Sequence, residues 1–374
     1  MAAELAPFKV GLIGCGGIAP AYVRGCRQFA ILELAGCADL DHNRAQGFGI
    51  EHGVTAYTVD ELLGHPDIDI LVNLTVPQVH AQVSQAIIAA GKHVYSEKPL
   101  ALDRDEGQQV LDAAAAAGLR VGCAPDTFLG GGLQTCRAVI DSGRIGTPLA
   151  ATAFLASRGP ESWHQNPFFF YLRGGGPLFD MGPYYLTALT SLLGPVRRIT
   201  ASTRRSFKER EAGHETIRGA KIPVEINTHA AGILDFVEGP VATLTMSFDV
   251  WKHNLPIIEI YGSEGTLSVP DPNTFGGVVR VFDASTGEWA EVPHQHSTDI
   301  GRGVGVADLA HAIREERAHR ASGHLAYHIL DIMQAFDESS ESDQHIDIHS
   351  RVDRPQPLPV EGLPLTSTAP NSAQ

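Results

Sequence analysis

A glycine-rich turn near the amino terminus has residue types and a spacing that suit phosphate binding. The segment from Gly14 to Ala19 reads Gly-Cys-Gly-Gly-Ile-Ala and matches the pattern G-x-G-x-x-A. Gly14 permits a tight turn, Gly16 lets the backbone approach a pyrophosphate, and Ala19 is small enough for close helix–strand packing. The helix that follows such a turn offers free N–H groups and positive potential to the phosphates. The pattern therefore predicts a dinucleotide-binding turn.

An acidic residue supports this prediction. Asp39 lies 20 residues after Ala19, at the end of the next apolar run. A carboxylate in this place can bind the ribose 2′- and 3′-hydroxyls and would repel a 2′-phosphate, so the sequence favours NAD over NADP. Arg44 is close enough in sequence to leave NADP open. The alternative interpretation is a glycine-rich turn followed by a solvated aspartate.

Polar residues also follow the apolar run that ends near Leu74. Asn73, Thr75 and Pro77 would lie at the carboxyl end of a strand, where doubly wound sheets bind their ligands, and we assign them to the cofactor. His80 begins the next predicted helix. A structural role and a contact on the nicotinamide side are equally expected for it.

An aromatic segment in the middle of the chain could recognise a sugar. Residues 161–171 read Glu-Ser-Trp-His-Gln-Asn-Pro-Phe-Phe-Phe-Tyr. Because aromatic rings stack on sugar faces, Trp163, His164 and Asn166 are predicted to line a carbohydrate pocket, with Arg158 as an anchor for an acidic or polyhydroxyl substrate. The alternative is an oligomer contact or a local apolar cluster.

The elements that must position these residues alternate between strands and helices in the first third of the chain. Such alternation implies parallel strands joined by right-handed crossovers. The predicted strands are Phe8–Ile13, Leu32–Ala38, Ile68–Leu74, His93–Ser96 and Arg120–Cys123, and the predicted helices are Ile18–Phe29, Gln78–Ala90 and Asp103–Ala117.

The pattern changes after about Pro125, where longer strand-like runs predict an open, largely antiparallel sheet. A helix over Gly132–Asp141 precedes this sheet, a helix from Pro183 towards Leu193 interrupts it, and two helices follow it. The residues after 353 include five prolines and few apolar anchors, so they predict an extended or disordered tail. The predicted strands of the sheet are Leu149–Ser157, Val196–Arg204, Val224–Val237, Val241–Val250 and Ile257–Val269.

A second signature lies between Ile70 and Pro99. It reads Asn-Leu-Thr-Val-Pro from residue 73, then His80, Gly-Lys-His-Val from residue 91 and Glu-Lys-Pro from residue 97. With the glycine-rich turn, it resembles the Gfo/Idh/MocA oxidoreductases, the family of glucose–fructose oxidoreductase and inositol 2-dehydrogenase. The resemblance covers nearly the whole chain, resumes at residues 174–176 and 180–182, and ends with helices around residues 306–308 and 328–331.

The resemblance implies a fold of the α/β class in two domains. Residues 1–125 would form an NAD-binding Rossmann domain. Residues 126–353 would form an α+β domain with a large open, mostly antiparallel sheet for substrate binding and oligomerisation, and residues 354–374 would be the tail. The nicotinamide would lie in the cleft between the two domains.

The resemblance also implies catalytic roles. Lys98 would be the catalytic lysine, because a buried ammonium group can stabilise developing alkoxide character on the substrate. Asp180 would hold the substrate hydroxyl or orient Lys98, and it would also suit the N-cap of the predicted helix. Much of the family has a histidine four residues after this aspartate, whereas this chain has Tyr184, as glucose–fructose oxidoreductase does. Tyr184 is the predicted acid–base group, with a packing role as its alternative and His164 as its rival.

The predicted function is hydride transfer between NAD and a secondary alcohol or ketone of a sugar, glycoside or cyclitol. The alternatives are an oxidoreductase that keeps and recycles a tightly bound NAD(P), a non-enzymatic NAD-sensing regulator, and a dihydrodiol or biliverdin-type reductase. The predicted cofactor-binding residues are Gly14, Gly16, Gly17, Ile18, Asp39, Asn73, Thr75, Pro77, His80, Glu97 and Lys98. The predicted substrate-binding residues are Lys98, Arg158, Trp163, His164, Asn166, Asp180 and Tyr184.

Composition argues against several other classes. A net charge of −15 disfavours nucleic acid and an anionic membrane surface as partners. The sequence has neither an uninterrupted apolar run of about 18 residues nor a recognisable signal peptide, so we expect a cytoplasmic protein. Five scattered cysteines and incomplete histidine groupings predict neither disulfides nor a metal site. The apolar content of the sheet predicts a homodimer or homotetramer formed through its open face.

Overall fold

A parallel sheet and its helices form the amino-terminal part of the protein in the computed structural model, which describes residues 6–366. The strand order β3-β2-β1-β4-β5-β6, with all neighbours parallel, is that of a Rossmann fold. The elements are β1 (Phe8–Ile13), α1 (Ala19–Cys26), β2 (Leu32–Ala38), α2 (His42–His52), β3 (Ala56–Tyr57), α3 (Val59–Gly64), β4 (Ile70–Asn73), α4 (His80–Ala89), β5 (His93–Ser96), α5 (Arg104–Ala117) and β6 (Val121–Cys123).

The sequence prediction of this sheet is confirmed for its central strands. β1, β2 and β5 have the predicted bounds, and β4 and β6 lie within theirs. The prediction left out α2, β3 and α3, although both helices carry start signals. Asp41 caps α2 by accepting from the backbone N–H of Asn43, and Thr58 forms a capping box with Glu61 at the start of α3.

A second, nine-stranded sheet forms most of the rest of the chain. Its order is β16-β15-β14-β13-β7-β12-β11-β8-β17; β7 and β12 run parallel and the other neighbouring pairs antiparallel. The elements are α6 (Gly131–Asp141), β7 (Pro148–Ala156), α7 (Gly176–Leu193), β8 (Val196–Arg204), β9 (Glu209–Glu211), β10 (Lys221–Pro223), β11 (His229–Phe236), β12 (Val241–Ser247), β13 (Ile258–Gly262), β14 (Gly265–Val269), β15 (Val279–Asp283), β16 (Glu288–Val292), α8 (Val304–Arg314), α9 (Gly323–Ser342) and β17 (Ile346–Asp347).

One face of the second sheet packs against α7 and α9. Alternate side chains of β11 and β12, among them Leu234, Leu244 and Met246, are completely buried. Gly232 of β11 leaves room for the ring of Phe336 in α9, because a Cβ at Gly232 would lie 2.6 Å from that ring. The core of this half of the molecule therefore lies between the sheet and the two helices.

The strand-like run over residues 257–269 is a hairpin that turns at Ser263 and Glu264, within the turn-forming sequence Gly-Ser-Glu-Gly. Two sequence predictions in this half are wrong in their bounds. β11 begins at His229, because the residues before it form a loop. The helix predicted to begin at Pro183 begins at Gly176. Asp180 is therefore inside α7 and does not cap it, because Gly175 is the N-cap.

The residues after 353 lie against the body of the protein as far as residue 366, with a turn at residues 359–362. The Leu358 side chain is buried, and its backbone N–H donates to Gln134 of α6 at 2.8 Å. The Thr366 N–H donates to the carbonyl of Gln28, just after α1, at 2.8 Å. The rest of the predicted tail, residues 367–374, lies outside the described residues. Within residues 6–366, none of the helices is both long enough and apolar enough to pass through a membrane.

Candidate active site

The glycine-rich turn lies at the carboxyl edge of the Rossmann sheet. Gly14 has a φ of +102°, and a Cβ on it would lie 2.6 Å from the carbonyl oxygen of Leu74, which follows β4. Its N–H donates to the carbonyl of Ala38 at 2.8 Å. Both the backbone conformation and the close approach of the neighbouring strand therefore require glycine at this position.

The lack of a side chain at Gly16 and Gly17 has a different explanation. Neither Gly16 nor Gly17 has a positive φ, and a Cβ on either would meet no atom of the protein within 4 Å. Neither backbone strain nor packing within the described protein excludes a side chain there. Open space in front of two glycines at the start of α1 fits a pyrophosphate that approaches the backbone closely. Ile18, half-buried, precedes α1 at this turn.

Asp39 is positioned by the same turn. Its carboxylate accepts from the N–H of Cys15 at 2.9 Å and from that of Asp41 at 3.0 Å, so it lies beside the glycine-rich turn. This is where a carboxylate can reach a ribose. The exposed guanidinium of Arg44 lies 3.7 Å from Asp39, so the same place also holds a positive charge.

Asn73 ends β4 and His80 begins α4, and both are buried. They are 0% and 1% exposed, and their assignment to the cofactor stays a prediction. The side chain of Asn73 accepts from the hydroxyl of Thr75 at 2.6 Å. The ring nitrogens of His80 lie 2.7 Å from the carbonyl of Pro99 and 3.0 Å from that of Thr75. Both residues therefore position Thr75, and burial lowers the pKa of His80.

Lys98 and Asp180 form a close ion pair. Glu97 and Lys98 directly follow β5, and Nζ of Lys98 donates to Oδ1 of Asp180 at 2.8 Å and to its backbone carbonyl at 2.6 Å. Asp180 and Tyr184 lie on one face of α7, and Nζ of Lys98 is 5.2 Å from the centre of the Tyr184 ring. The structure thus brings the three predicted catalytic residues together.

The Tyr184 hydroxyl has a partner that sequence analysis missed. Arg302, which lies just before α8, donates from Nη2 to this hydroxyl at 2.9 Å and to Asn273 Oδ1 at 3.1 Å. A second nitrogen of Arg302 lies 3.9 Å from Glu97, which also accepts from Tyr22 of α1 at 2.8 Å. The sequence around Arg302 is Gly-Arg-Gly. This tripeptide matches no motif that would identify the arginine as functional.

The pKa values in this cluster have identifiable causes. Burial is the largest influence on Lys98 and opposes its charge, but Asp180, Tyr184 and Glu97 together outweigh burial and raise the pKa of Lys98 above its usual range. Burial raises the pKa of Tyr184, while the positive charges of Lys98 and Arg302 act to lower it. Burial also raises the pKa of Asp126, which accepts from the N–H groups at the start of α8. The cluster therefore holds two cations beside one neutral phenol.

The aromatic segment lies next to the start of α7. A Cβ on Gly175 would lie 2.6 Å from the carbonyl oxygens of Phe169 and Phe170. His164 stacks edge-on against Phe169 and Phe170, with ring centres 5.5 and 5.1 Å apart, and Trp163 is 65% exposed. In residues 6–366, His164 makes no hydrogen bond to Lys98, Asp180 or Tyr184, and the exposed Asn166 donates its backbone N–H to the His164 ring.

Arg158 faces a different set of aromatic residues. Its guanidinium lies 4.5 Å from the centre of the Trp251 ring and 5.1 Å from that of Phe207. Arg210 is buried next to this region and forms salt bridges with Asp249 at 2.6 Å and with Glu161 at 3.1 Å. The loops that follow β7 and β12 meet where Tyr171 packs edge-on against Phe248, with ring centres 6.2 Å apart. We call the aromatic residues of these two loops the aromatic wall.

A Rossmann sheet with a dinucleotide-binding turn, beside a lysine–aspartate–tyrosine cluster, defines a NAD-binding oxidoreductase. The model of an oxidoreductase family with an NAD-binding Rossmann fold matches residues 8–124, and the GFO/IDH/MocA C-terminal domain matches residues 133–268. The chain belongs to the Gfo/Idh/MocA family. The resemblance, the fold class and the enzyme class predicted from the sequence are thereby confirmed.

Named relatives support this assignment. The chain is 32% identical over 265 residues to 1,5-anhydro-D-fructose reductase from Ensifer adhaerens, a match that covers 69% of this chain and 74% of the relative. It is 26% identical to inositol 2-dehydrogenase 3 from Saccharopolyspora erythraea, over 76% of this chain and 80% of the relative. A levoglucosan dehydrogenase in complex with NADH and L-sorbose has the same fold, with a TM-score of 0.79 at 22% identity over 92% of this chain and 99% of the other.

Proposed function

We propose that this chain oxidises a secondary alcohol of a sugar, glycoside or cyclitol to a ketone, or catalyses the reverse reduction, with NAD. The Lys98–Asp180 ion pair beside Tyr184, at the carboxyl edge of a Rossmann sheet, is the observation that carries the proposal. The names of the relatives support the substrate class, because they include a reductase of a sugar derivative and an inositol dehydrogenase.

The cofactor would be held by residues at the sheet edge. The turn at Gly14, Gly16 and Gly17 would hold the pyrophosphate, Asp39 the ribose, and Thr75 and Pro77 the part of the site nearer Lys98. Asn73 and His80 would act through Thr75. When bound, NAD supplies the hydride acceptor for the oxidation.

The chain's own residues would control the substrate oxygen and its proton. Asp180 keeps Lys98 charged and directs its ammonium group, which would donate to the substrate oxygen and stabilise negative charge there. The hydroxyl of Tyr184 would exchange the proton, because its pKa responds to the two neighbouring cations. Both groups are largely buried, which strengthens their electrostatic effect.

Substrate recognition would come from the aromatic wall. Trp163 is exposed at the start of this wall, and His164 and Asn166 follow it on the same loop. Arg158 remains a proposed anchor for the substrate, although its stacking on Trp251 and Phe207 directs it towards the loop after β12.

A panel assay tests this function. The purified protein is mixed with NAD and, in turn, with monosaccharides, glycosides and inositols, and NADH formation is followed by absorbance. The Lys98→Met variant is the control: it should fold and bind NAD but lose turnover, because only the ammonium group has been removed. A panel without any NADH formation would reject the proposal, and near wild-type turnover in Lys98→Met would reject the role of Lys98.

A further inference from the structure

The hydroxyl of Tyr184 is hydrogen-bonded to Arg302 and not to the lysine of the Glu-Lys-Pro motif. Nη2 of Arg302 lies 2.9 Å from the hydroxyl oxygen, and its guanidinium carbon lies 5.5 Å from the centre of the Tyr184 ring. The side chain of Arg302 is only 13% exposed. An arginine cannot lose its proton in a protein, so it can only donate to this oxygen.

The two cations near Tyr184 differ in how far they are neutralised. The ammonium group of Lys98 has a carboxylate oxygen of Asp180 at 2.8 Å and a carbonyl at 2.6 Å. Arg302 has its nearest carboxylate, that of Glu97, at 3.9 Å, beyond hydrogen-bond distance. Its Nη1 atom is buried without a hydrogen-bond partner among the described residues. The charge of Arg302 is therefore less fully compensated by a hydrogen-bonded carboxylate than the charge of Lys98.

We infer that Arg302 is a positioning residue that fixes the hydroxyl of Tyr184 and favours its phenolate form. The inference deepens the proposed function, on which the catalytic meaning of that phenolate rests. A phenolate oxygen accepts more strongly than a phenol from a charged donor, so the Arg302 hydrogen bond strengthens when the proton leaves. In the oxidation, Tyr184 must already have lost its own proton before it can accept the proton of the substrate hydroxyl, so the phenolate is the form that must be present.

The backbone around Arg302 is fixed from three sides. Asp126 accepts from the N–H groups of Gly303 at 2.8 Å and Gly305 at 3.1 Å. The side chain of Gln28 accepts from the N–H of Gly301 at 3.2 Å. Helix α1 approaches so closely that a Cβ on Gly25 would lie 1.6 Å from the carbonyl oxygen of Arg302. A side chain on so constrained a backbone can hold a hydroxyl in one place.

The charged groups near Tyr184 belong to three parts of the chain. Lys98 and Glu97 face it from the loop after β5, Asp180 belongs to its own helix, and Arg302 faces it from the start of α8. Farther away, Asp126 and Tyr22 act on Arg302. Removal of Arg302 takes away one of the two cations that lower the pKa of Tyr184 and leaves Glu97, which raises that pKa, without the arginine 3.9 Å away. That change should disfavour the phenolate.

The test measures the ionisation of Tyr184 directly and needs no substrate. The protein contains eight tyrosines, so it is labelled with ¹³Cζ-tyrosine, and the signal lost in Tyr184→Phe identifies Tyr184. Titration of that signal is compared between the wild type, Arg302→Lys and Arg302→Met. The control is Arg104→Met, which removes a partly buried arginine that is ion-paired with Asp331 away from the site.

We expect the midpoint of Tyr184 to rise by about 1–3 pH units in Arg302→Met, by less in Arg302→Lys, and not at all in the control. Should Arg302→Met fail to fold, as judged by circular dichroism, the Arg302→Lys titration carries the test. An unchanged midpoint in a folded Arg302 variant overturns the inference.

A kinetic measurement separates this inference from the proposed function. If the enzyme oxidises a sugar, the pH limb of kcat that belongs to Tyr184 should shift upward in Arg302→Met, while NAD affinity stays close to that of the wild type. A shifted titration without turnover on any sugar would support the inference and reject the function. Sugar oxidation with an unshifted titration would do the reverse.

Discussion

Removal of the hydroxyl oxygen of Tyr184 tests the chemical role of this residue while its ring keeps its packing. Tyr184→Phe keeps the ring between Lys98 and Arg302, so the fold and NAD affinity should remain. If Tyr184 exchanges the substrate proton, kcat should fall by about 10²–10⁴-fold, and the associated limb of the pH–rate profile should disappear. Steady-state kinetics across pH with the best sugar of the panel measure both effects.

His164→Ala is the matched comparison for Tyr184. The ring of His164 packs on Phe169 and Phe170, so its loss should raise KM through the aromatic wall more than it lowers kcat. Wild-type kcat in Tyr184→Phe, together with a strongly reduced kcat in His164→Ala, would move the acid–base role to the loop after β7.

Asp39 and Arg44 together determine which dinucleotide is preferred. We expect the wild type to bind NAD more tightly than NADP, because the Asp39 carboxylate would repel a 2′-phosphate. In Asp39→Ser the affinity for NAD should fall and that for NADP should rise, since Arg44 no longer has its carboxylate partner at 3.7 Å. Titration calorimetry with both dinucleotides measures the two dissociation constants.

The double variant Asp39→Ser/Arg44→Ala isolates the part played by the arginine. Its NAD affinity should match that of Asp39→Ser, whereas its gain in NADP affinity should be lost. A wild type that binds NADP more tightly than NAD would contradict the assignment of Asp39.

The residues of the candidate site could be predicted where a local pattern carries them. The glycine turn, Asp39 and the Glu-Lys-Pro tripeptide are short motifs, and the structure places them along one edge of the sheet. Arg302 lies 118 residues from Tyr184, and the tertiary fold brings the two together. The residue roles themselves remain predictions.

At the scale of elements, prediction succeeded where hydrophobic periodicity decides the structure. β1, β2 and β8 are apolar runs bounded by turn residues, and their bounds are as predicted. α7 begins seven residues earlier than predicted. Proline is typical of the first turn of a helix, so Pro183 predicts a helix start, but the structure accommodates its ring inside this buried helix. That accommodation depends on tertiary packing, which a sequence pattern does not contain.

His328 links α9 to β8 and makes their packing sensitive to acid. Its ring accepts from the backbone N–H of Val196 at 3.1 Å and contacts the hydroxyl of Ser350 at 2.8 Å. Burial lowers its pKa from 6.5 to about 4. Between these two pH values the unfolded chain binds a proton that the folded chain does not, so stability should fall as the pH falls through this window. The shift corresponds to a loss on the order of 3 kcal/mol.

Chemical denaturation between pH 7 and pH 4 measures this effect. His328→Gln keeps an acceptor for Val196 but cannot take up the proton, so its unfolding free energy should fall less steeply with pH than that of the wild type. His349→Gln, at an exposed position on the segment after β17, is the control and should follow the wild type. Identical slopes in the wild type and His328→Gln would show that another group causes the acid sensitivity.

At the scale of the whole molecule, segments outside the two sheets connect the two halves of the protein. The division at residue 125 stays a prediction; β6 ends at Cys123 and α6 begins at Gly131. The residues that follow 353 return across α6 and reach the end of α1, where Thr366 bonds the same Gln28 that holds Gly301. The tail therefore contributes to the position of the segment that carries Arg302.

We propose the outer face of the second sheet as the oligomer interface. The sequence suggested this interface through the apolar content of the sheet, whereas the structure suggests it through the side chains that point outward. Six of the nine apolar side chains in β11 and β12 are already buried on the face that packs against α7 and α9. The outward side chains alternate with them: Ile233 is 48% exposed and lies opposite Thr200 and Thr243 on the neighbouring strands. Small and β-branched residues of this kind form a flat surface on which a second sheet can pack.

Light scattering over a dilution series tests the interface. We expect the wild type to have two or four times the mass of one chain, because an exposed isoleucine among threonines gains most by burial against a second copy. Ile233→Lys should reduce this mass, since a charge in the centre of a sheet-to-sheet contact would lose its water without a partner. Ile50→Lys, which alters an 87% exposed isoleucine on α2, is the control and should leave the mass unchanged. A wild type that remains a monomer at every concentration would reject the proposal, and an undiminished mass in Ile233→Lys would place the interface on another surface.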